Sequence, residues 1–149
     1  MTFAQADVLV YDLGTDDYDL VALLGSTLSD FSLESFLLLS RKVHKALKQG
    51  VRFIVHYIDG LSQFISTDYP REAVRKEEPQ RITRRFKEYK PEEASFTEIC
   101  SNQATGETCQ YTSDIYSPPF VCLSLRGQFE RERSVRLSES SYLGIFLKA

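Results

Sequence analysis

Residues 51–66, VRFIVHYI then Asp59-Gly60 then LSQFIS, constrain the fold more than any other stretch. Two apolar runs flank an Asp-Gly pair, the strongest short-range signal for a two-residue hairpin turn. Such a turn predicts Ile58 opposite Leu61, His56 opposite Gln63, Val55 opposite Phe64 and Ile54 opposite Ile65. One face of this ribbon carries Phe53, Val55, Tyr57 and Phe64. The other carries Ile54, Ile58, Leu61 and Ile65, with His56 and Gln63 among them. A ribbon apolar on both faces needs a cover on each.

Residues 29–50 predict one cover, an amphipathic helix. Phe36, Leu39, Val43, Ala46 and Leu47 recur at helical spacing. Ser29, Asp30 or Ser32 can cap its start, and Gly50 can stop it. Asp30 and Glu34 stand near the N-terminal end and Arg41, Lys42, Lys45 and Lys48 toward the C-terminal end, matching the helix dipole. The second face calls for further structure from this chain, or for a partner.

The rest reads mainly as strands. DVLVYDLG (7–14) and DYDLVALLG (17–25) are joined by a turn at Gly14. Residues 68–80, charged and bounded by Pro70 and Pro79, read as an exposed connection. Ile82, Phe86 and Tyr89 fall at i, i+4 and i+7, predicting a short helix that ends before Pro91. Residues 94–102 and 107–116 read as a second hairpin. After a break at SPPF (117–120), residues 120–127, 129–137 and 141–148 read as a meander. The predicted fold is one α+β domain over residues 1–149. A mainly antiparallel sheet packs one long amphipathic helix on a face, in the order ββαββ(α)βββββ. Its core should hold Val10, Phe36, Leu39, Val43, Leu47, Phe53, Val55, Phe64, Leu123 and Phe146.

The chain has 149 residues, 42% of them hydrophobic, enough for a real core. No apolar run approaches the roughly 20 residues that span a bilayer. The N-terminus lacks the features of a secretory signal, so a reducing, cytoplasmic setting is expected. Cys100, Cys109 and Cys122 then read as small hydrophobes or free thiols, with a Cys100–Cys109 disulfide as the alternative in the second hairpin. Net charge is −3, but residues 1–40 contain seven acids and no Lys or Arg.

Few residues suggest chemistry. His56 and Asp59 could form an acid–base pair, yet turn geometry alone accounts for the Asp-Gly. His44 sits among basic residues near the helix end and lacks a companion metal ligand. Asp16, Asp17 and Asp19 lack the ligand order of a calcium loop. No CxxC, P-loop, GxGxxG or GxSxG is present. No catalytic residue, metal or cofactor is therefore expected. The best binding candidate is the basic-aromatic segment 71–90, with Arg71, Arg75, Lys76, Arg81, Arg84, Arg85, Phe86 and Tyr89.

Residues 22–67 resemble the strand–loop–helix–strand order of STAS (anti-sigma factor antagonist) domains. The resemblance places Ser66 near that family's phosphorylatable serine. It spans under a third of the chain, and the Asp-Gly turn and β-rich second half depart from the family. The chain is not assigned to it.

These features point to a non-enzymatic protein-interaction or regulatory protein. It would bind a protein partner or itself through exposed sheet surface and segregated charge. Two alternatives remain: a nucleic-acid binder using segment 71–90, and a small hydrolase or transferase with a concave pocket at His56.

Overall fold

A computed structural model describes residues 4–25, 27–65, 72–77 and 80–149, with the backbone alone at 63–65, 72–77, 80, 81 and 132. The described strands form two four-stranded sheets. The first is mixed. Strand β1 (Tyr18–Leu23) leads through a 3-10 turn (Thr27–Asp30) and helix α1 (Leu33–Ala46) into β2 (Leu47–Ile58). β1 and β2 are parallel, and β8 (Ser141–Leu147) and β7 (Glu130–Arg136) extend the sheet antiparallel in the order β1-β2-β8-β7.

The second sheet is an antiparallel meander inserted between β2 and the last two strands. Helix α2 (Gly60–Ile65) leads toward β3 (Glu72–Glu77), β4 (Gln80–Lys90), β5 (Ser95–Asn102) and β6 (Thr108–Asp114). Helix α3 (Pro118–Leu125) returns the chain to the mixed sheet. No helix among the described residues is long and apolar enough to cross a membrane.

The core lies between one face of the mixed sheet and helices α1 and α3. Phe53, Val55, Tyr57 and Phe146 from the strands meet Phe36, Leu39 and Val43 of α1 and Val121 and Leu125 of α3. Each such side chain contributes on the order of 2 kcal/mol by leaving water. Gly144 has a packing reason: a Cβ there would lie 2.6 Å from Phe146 Cε2 and 3.3 Å from Tyr57 Cε1.

The fold differs from the sequence expectation at its centre. Asp59-Gly60 does not reverse the chain. Asp59 Oδ1 accepts a hydrogen bond from Ser62 N at 3.1 Å, as a helix cap does, and Gly60 opens α2. Gly60 also lets another segment approach: its N–H donates to Tyr116 O at 2.9 Å, and a Cβ would meet Ile115 Cγ2 at 3.2 Å. Asp-Gly thus serves a cap and a close contact, both served by the residue types that favour turns.

Other elements change for equally local reasons. Residues 7–11 form turns rather than a strand, with Lys42 Nζ donating to the carbonyls of Val8, Leu9 and Tyr11. Pro118 and Pro119 occupy the first positions of α3, where a missing N–H costs nothing, so residues 118–125 are helical and not a strand. Segment 81–90 is strand β4, not helix. A bulge between Phe86 and Glu88 adds a residue, so Ile82, Phe86 and Tyr89 share one strand face despite their helix-like spacing. Gly50 lies within β2, beyond the helix end at Ala46.

The second hairpin (β5–β6) and the final pair (β7–β8) stand where the sequence places them, and helix α1 stands within its expected span but is shorter, Leu33–Ala46, with Leu47 already in β2. Of the 68–80 connection, Glu72–Glu77 form β3; residues 68–71, 78 and 79 lie outside the described residues. Among the expected core, Val10 is 82% exposed and Leu123 62% exposed, and the Phe64 side chain lies outside the described set. Leu123 points outward because its segment is a helix that turns Val121 and Leu125 inward.

Candidate functional site

A cleft of about 650 Å³ lies where the meander sheet faces the carboxyl ends of β1 and β2. Its size falls within the range of small-molecule pockets. Open α/β sheets bind ligands at this place, beyond the carboxyl ends of parallel strands. One wall is Gly25, Leu28, Ser29 and Asp30 after β1, with Tyr57, Ile58 and Gly60 from β2 and the start of α2. Gly25 ends β1 at φ 79, a left-handed conformation that glycine adopts without strain.

The other wall is one face of the meander. Register places Arg84 of β4 beside Cys100 of β5 and Cys109 of β6. Phe86, Glu98 and Tyr111 form the next row, and Tyr89, Phe96 and Ser113 the third. Glu98 is 9% exposed, with Arg84 Nη1 at 3.9 Å from its Oε2. Asp114 accepts from the backbone of Leu33 at the start of α1, and burial raises its pKa above the ordinary carboxylate range. Burial also pushes the Cys100 thiol up, which keeps it protonated. Tyr116 closes the base, its hydroxyl donating to Phe31 O at 3.0 Å and its ring edge-on to Phe36.

The cleft therefore sets the carboxylates of Asp30, Glu98 and Asp114 among aromatic rings, with Arg84 as a cation. Acidic, aromatic surroundings favour a cationic ligand. No group of three or more His, Cys, Asp or Glu that could hold a metal occurs among the described residues. The three cysteines are free thiols.

The basic-aromatic candidates divide. Arg84, Phe86 and Tyr89 lie on the cleft face of β4, whereas Arg85 lines the opposite face with Thr83, Ile99 and Ser101. Arg75 and Lys76 are on β3 and Arg81 is on β4, with side chains outside the described set; Arg71 and Ser66 lie outside it altogether. Strand alternation thus splits the described part of the basic run between the two faces of the meander. His56 sits on the face of β2 away from α1, beside Leu143, with Nε2 at 2.7 Å from Ser141 Oγ. It does not line the cleft, so the hydrolase or transferase reading built on His56 finds no support there.

No family model matches the chain, and no curated protein matches it. Solved structures do. The CcbJ methyltransferase from Streptomyces caelestis aligns over 97% of this chain at 16% identity, with a TM-score of 0.73. An S-adenosylmethionine-dependent methyltransferase from Clostridium acetobutylicum aligns over 97% at 13% identity and a TM-score of 0.71. The sugar N-methyltransferase KedS8 from Streptoalloteichus sp. aligns over 97% at 16% identity and a TM-score of 0.66. The fold is the one these methyltransferases use. The chain spans 61–66% of their length.

This likeness overturns two expectations. The architecture is a mixed α/β sheet with an inserted meander, not a mainly antiparallel sheet under one helix. The non-enzymatic interaction or regulatory reading also gives way, since the proteins sharing this architecture are named as enzymes. A signal was present in the sequence: strand, long helix, strand from residue 18 to 58 is the pattern of a parallel unit. The Asp-Gly pair competes with that pattern, because it has the composition of a hairpin turn.

Proposed function

We propose that this chain forms the substrate-facing part of an S-adenosylmethionine-dependent methyltransferase acting on a small molecule. The observation that carries the proposal is the acidic, aromatic cleft at the carboxyl ends of β1 and β2, in a chain that shares this fold over 97% of its length. Gly25, Ser29, Ile58 and Gly60 are the residues that would hold the cofactor, and Arg84, Phe86, Glu98 and Tyr111 those that would face the acceptor. S-adenosylmethionine, when bound, supplies a methyl group on a sulfonium centre. The carboxylates of Asp30, Glu98 and Asp114 suit that positive charge.

An acceptor amine or hydroxyl gives up a proton as it is methylated. Asp114 would take it, and its raised pKa favours proton acceptance. The sugar N-methyltransferase among the structural neighbours supports a small amine as acceptor. The free thiols support an intracellular setting.

Titration of the labelled protein with S-adenosylmethionine, followed by amide chemical shifts, tests this. Saturable shifts at Gly25, Ile58 and Gly60 are expected, with affinity about tenfold weaker in Glu98→Gln. Unchanged amides at millimolar ligand would remove the proposal.

A further inference from the structure

Register sets Cys100 of β5 directly opposite Cys109 of β6, and both line the cleft. Directly opposed residues of an antiparallel pair have Cα atoms about 4.5–5.5 Å apart, inside the roughly 4.4–6.8 Å that a disulfide spans. Cys109 is already a hydrogen-bond partner of the Cys100 thiol. The backbone spacing therefore permits a bond between the two sulfurs. Neither thiol has a part in the methyl transfer proposed above.

The two thiols differ in access. Cys109 is exposed, whereas Cys100 is half-buried, and burial keeps its thiol protonated. An exposed thiol with a sheltered one beside it matches a redox site with an attacked and a resolving cysteine. Arg84 stands next to Cys100 in the register, and its charge favours the thiolate that Cys100 needs in order to attack. Cys122 is set apart: it belongs to α3 and packs against the main core.

We propose that Cys100 and Cys109 are a reversible redox site in the cleft wall, oxidised by a hydroperoxide to a cross-strand disulfide. The Cys109 sulfur attacks one peroxide oxygen, and the O–O bond breaks. The departing oxygen leaves with the thiol proton, as water or an alcohol, and Cys109 becomes a sulfenic acid. The Cys100 sulfur then attacks the Cys109 sulfur and displaces its hydroxyl, which leaves as water with the Cys100 proton. Two thiols are oxidised and one peroxide is reduced. A bond at this exposed strand pair is open to a small dithiol, which restores both cysteines and is itself oxidised to a disulfide. The oxidised form staples β5 to β6 one row from Glu98 and Tyr111, so it changes the surface that the cleft presents. The inference rests on the hairpin register and stands whatever the cleft binds.

Mass spectrometry of the intact chain after one equivalent of hydrogen peroxide tests it. Two of the three thiols should be lost together, and peptide mapping should find the Cys100–Cys109 bond with Cys122 still free. Dithiothreitol should restore all three. In Cys100→Ser, dimedone should trap a sulfenic acid at Cys109. In Cys109→Ser, the remaining Cys100 should react with peroxide at least about tenfold more slowly than Cys109 does. Oxidation of the unsubstituted chain should shift the amides of Arg84, Glu98 and Tyr111. Thiols untouched by peroxide, a disulfide to Cys122 or between copies, or unmoved amides at those three residues would overturn the proposal.

Discussion

The two sheets bury different things. The mixed sheet buries Phe53, Val55, Tyr57 and Phe146 against helices, and every strand residue in the main core cluster comes from it. Among the described residues, those buried in the meander are Ser95, Thr97, Glu98 and Ser113, all polar. Burying apolar surface contributes large free energies, whereas a buried hydrogen-bonded polar group contributes little net. The mixed sheet therefore carries the stability. The meander is held by its ladder and by small polar pairs, such as the 3.1 Å contact between the Thr97 and Thr112 hydroxyls. Its cleft face is correspondingly available for recognition.

The contrast is broken most forcefully at Phe53, fully buried and packed on Phe129 at 5.5 Å between ring centroids. Phe53→Ala should cost about 3–5 kcal/mol in urea unfolding, because transfer and cavity terms add. A loss below 1 kcal/mol would mean that the core lies elsewhere. Thr97→Val should cost no more than about 1 kcal/mol, since water can serve the exposed Thr112 hydroxyl left behind. A larger cost would give the meander a stabilising role that the comparison denies it.

The smallest effect concerns pH at the boundary between the sheets. Burial raises the pKa of Asp114, so the folded state holds this proton more tightly than the unfolded chain does. Its contribution to stability is present below the unfolded carboxylate pKa of 3.8 and is lost as pH rises through the raised value. Asp114→Asn removes this titration while keeping an acceptor for the Leu33 N–H. Relative to wild type, the variant should gain stability between a pH below 3.8 and neutrality, read as urea midpoints. A pH-independent difference would show that burial there is not what shifts the group.

Legibility in the sequence follows the same division. Helix α1 and its buried stripe were readable because Phe36, Leu39 and Val43 serve one purpose, packing. The β5–β6 hairpin was readable because its alternation and its QATG turn agree. Reading failed where one residue type serves two ends. Asp59 caps and Gly60 admits a neighbouring backbone, yet together they imitate a hairpin turn. Paired prolines open α3 where they seemed only to break the chain. The bulge in β4 gave a strand face the spacing of a helix. The cleft itself was hidden for a further reason. Its residues lie on segments from 25 to 116, and only the meander's register brings Arg84, Glu98 and Tyr111 onto one face. Of the candidates in segment 71–90, Arg84, Phe86 and Tyr89 nonetheless belong to that face.

The central claim is that the space between the sheets is a cofactor and substrate site. The amide spectrum of the whole chain, recorded as S-adenosylmethionine is added, addresses it most directly. The account predicts saturable changes at Gly25, Ile58 and Gly60 on one wall and at Glu98 and Tyr111 on the other, with residues 130–136 of β7 silent. Changes confined to β7 and the outer face of the mixed sheet, or none, would contradict it.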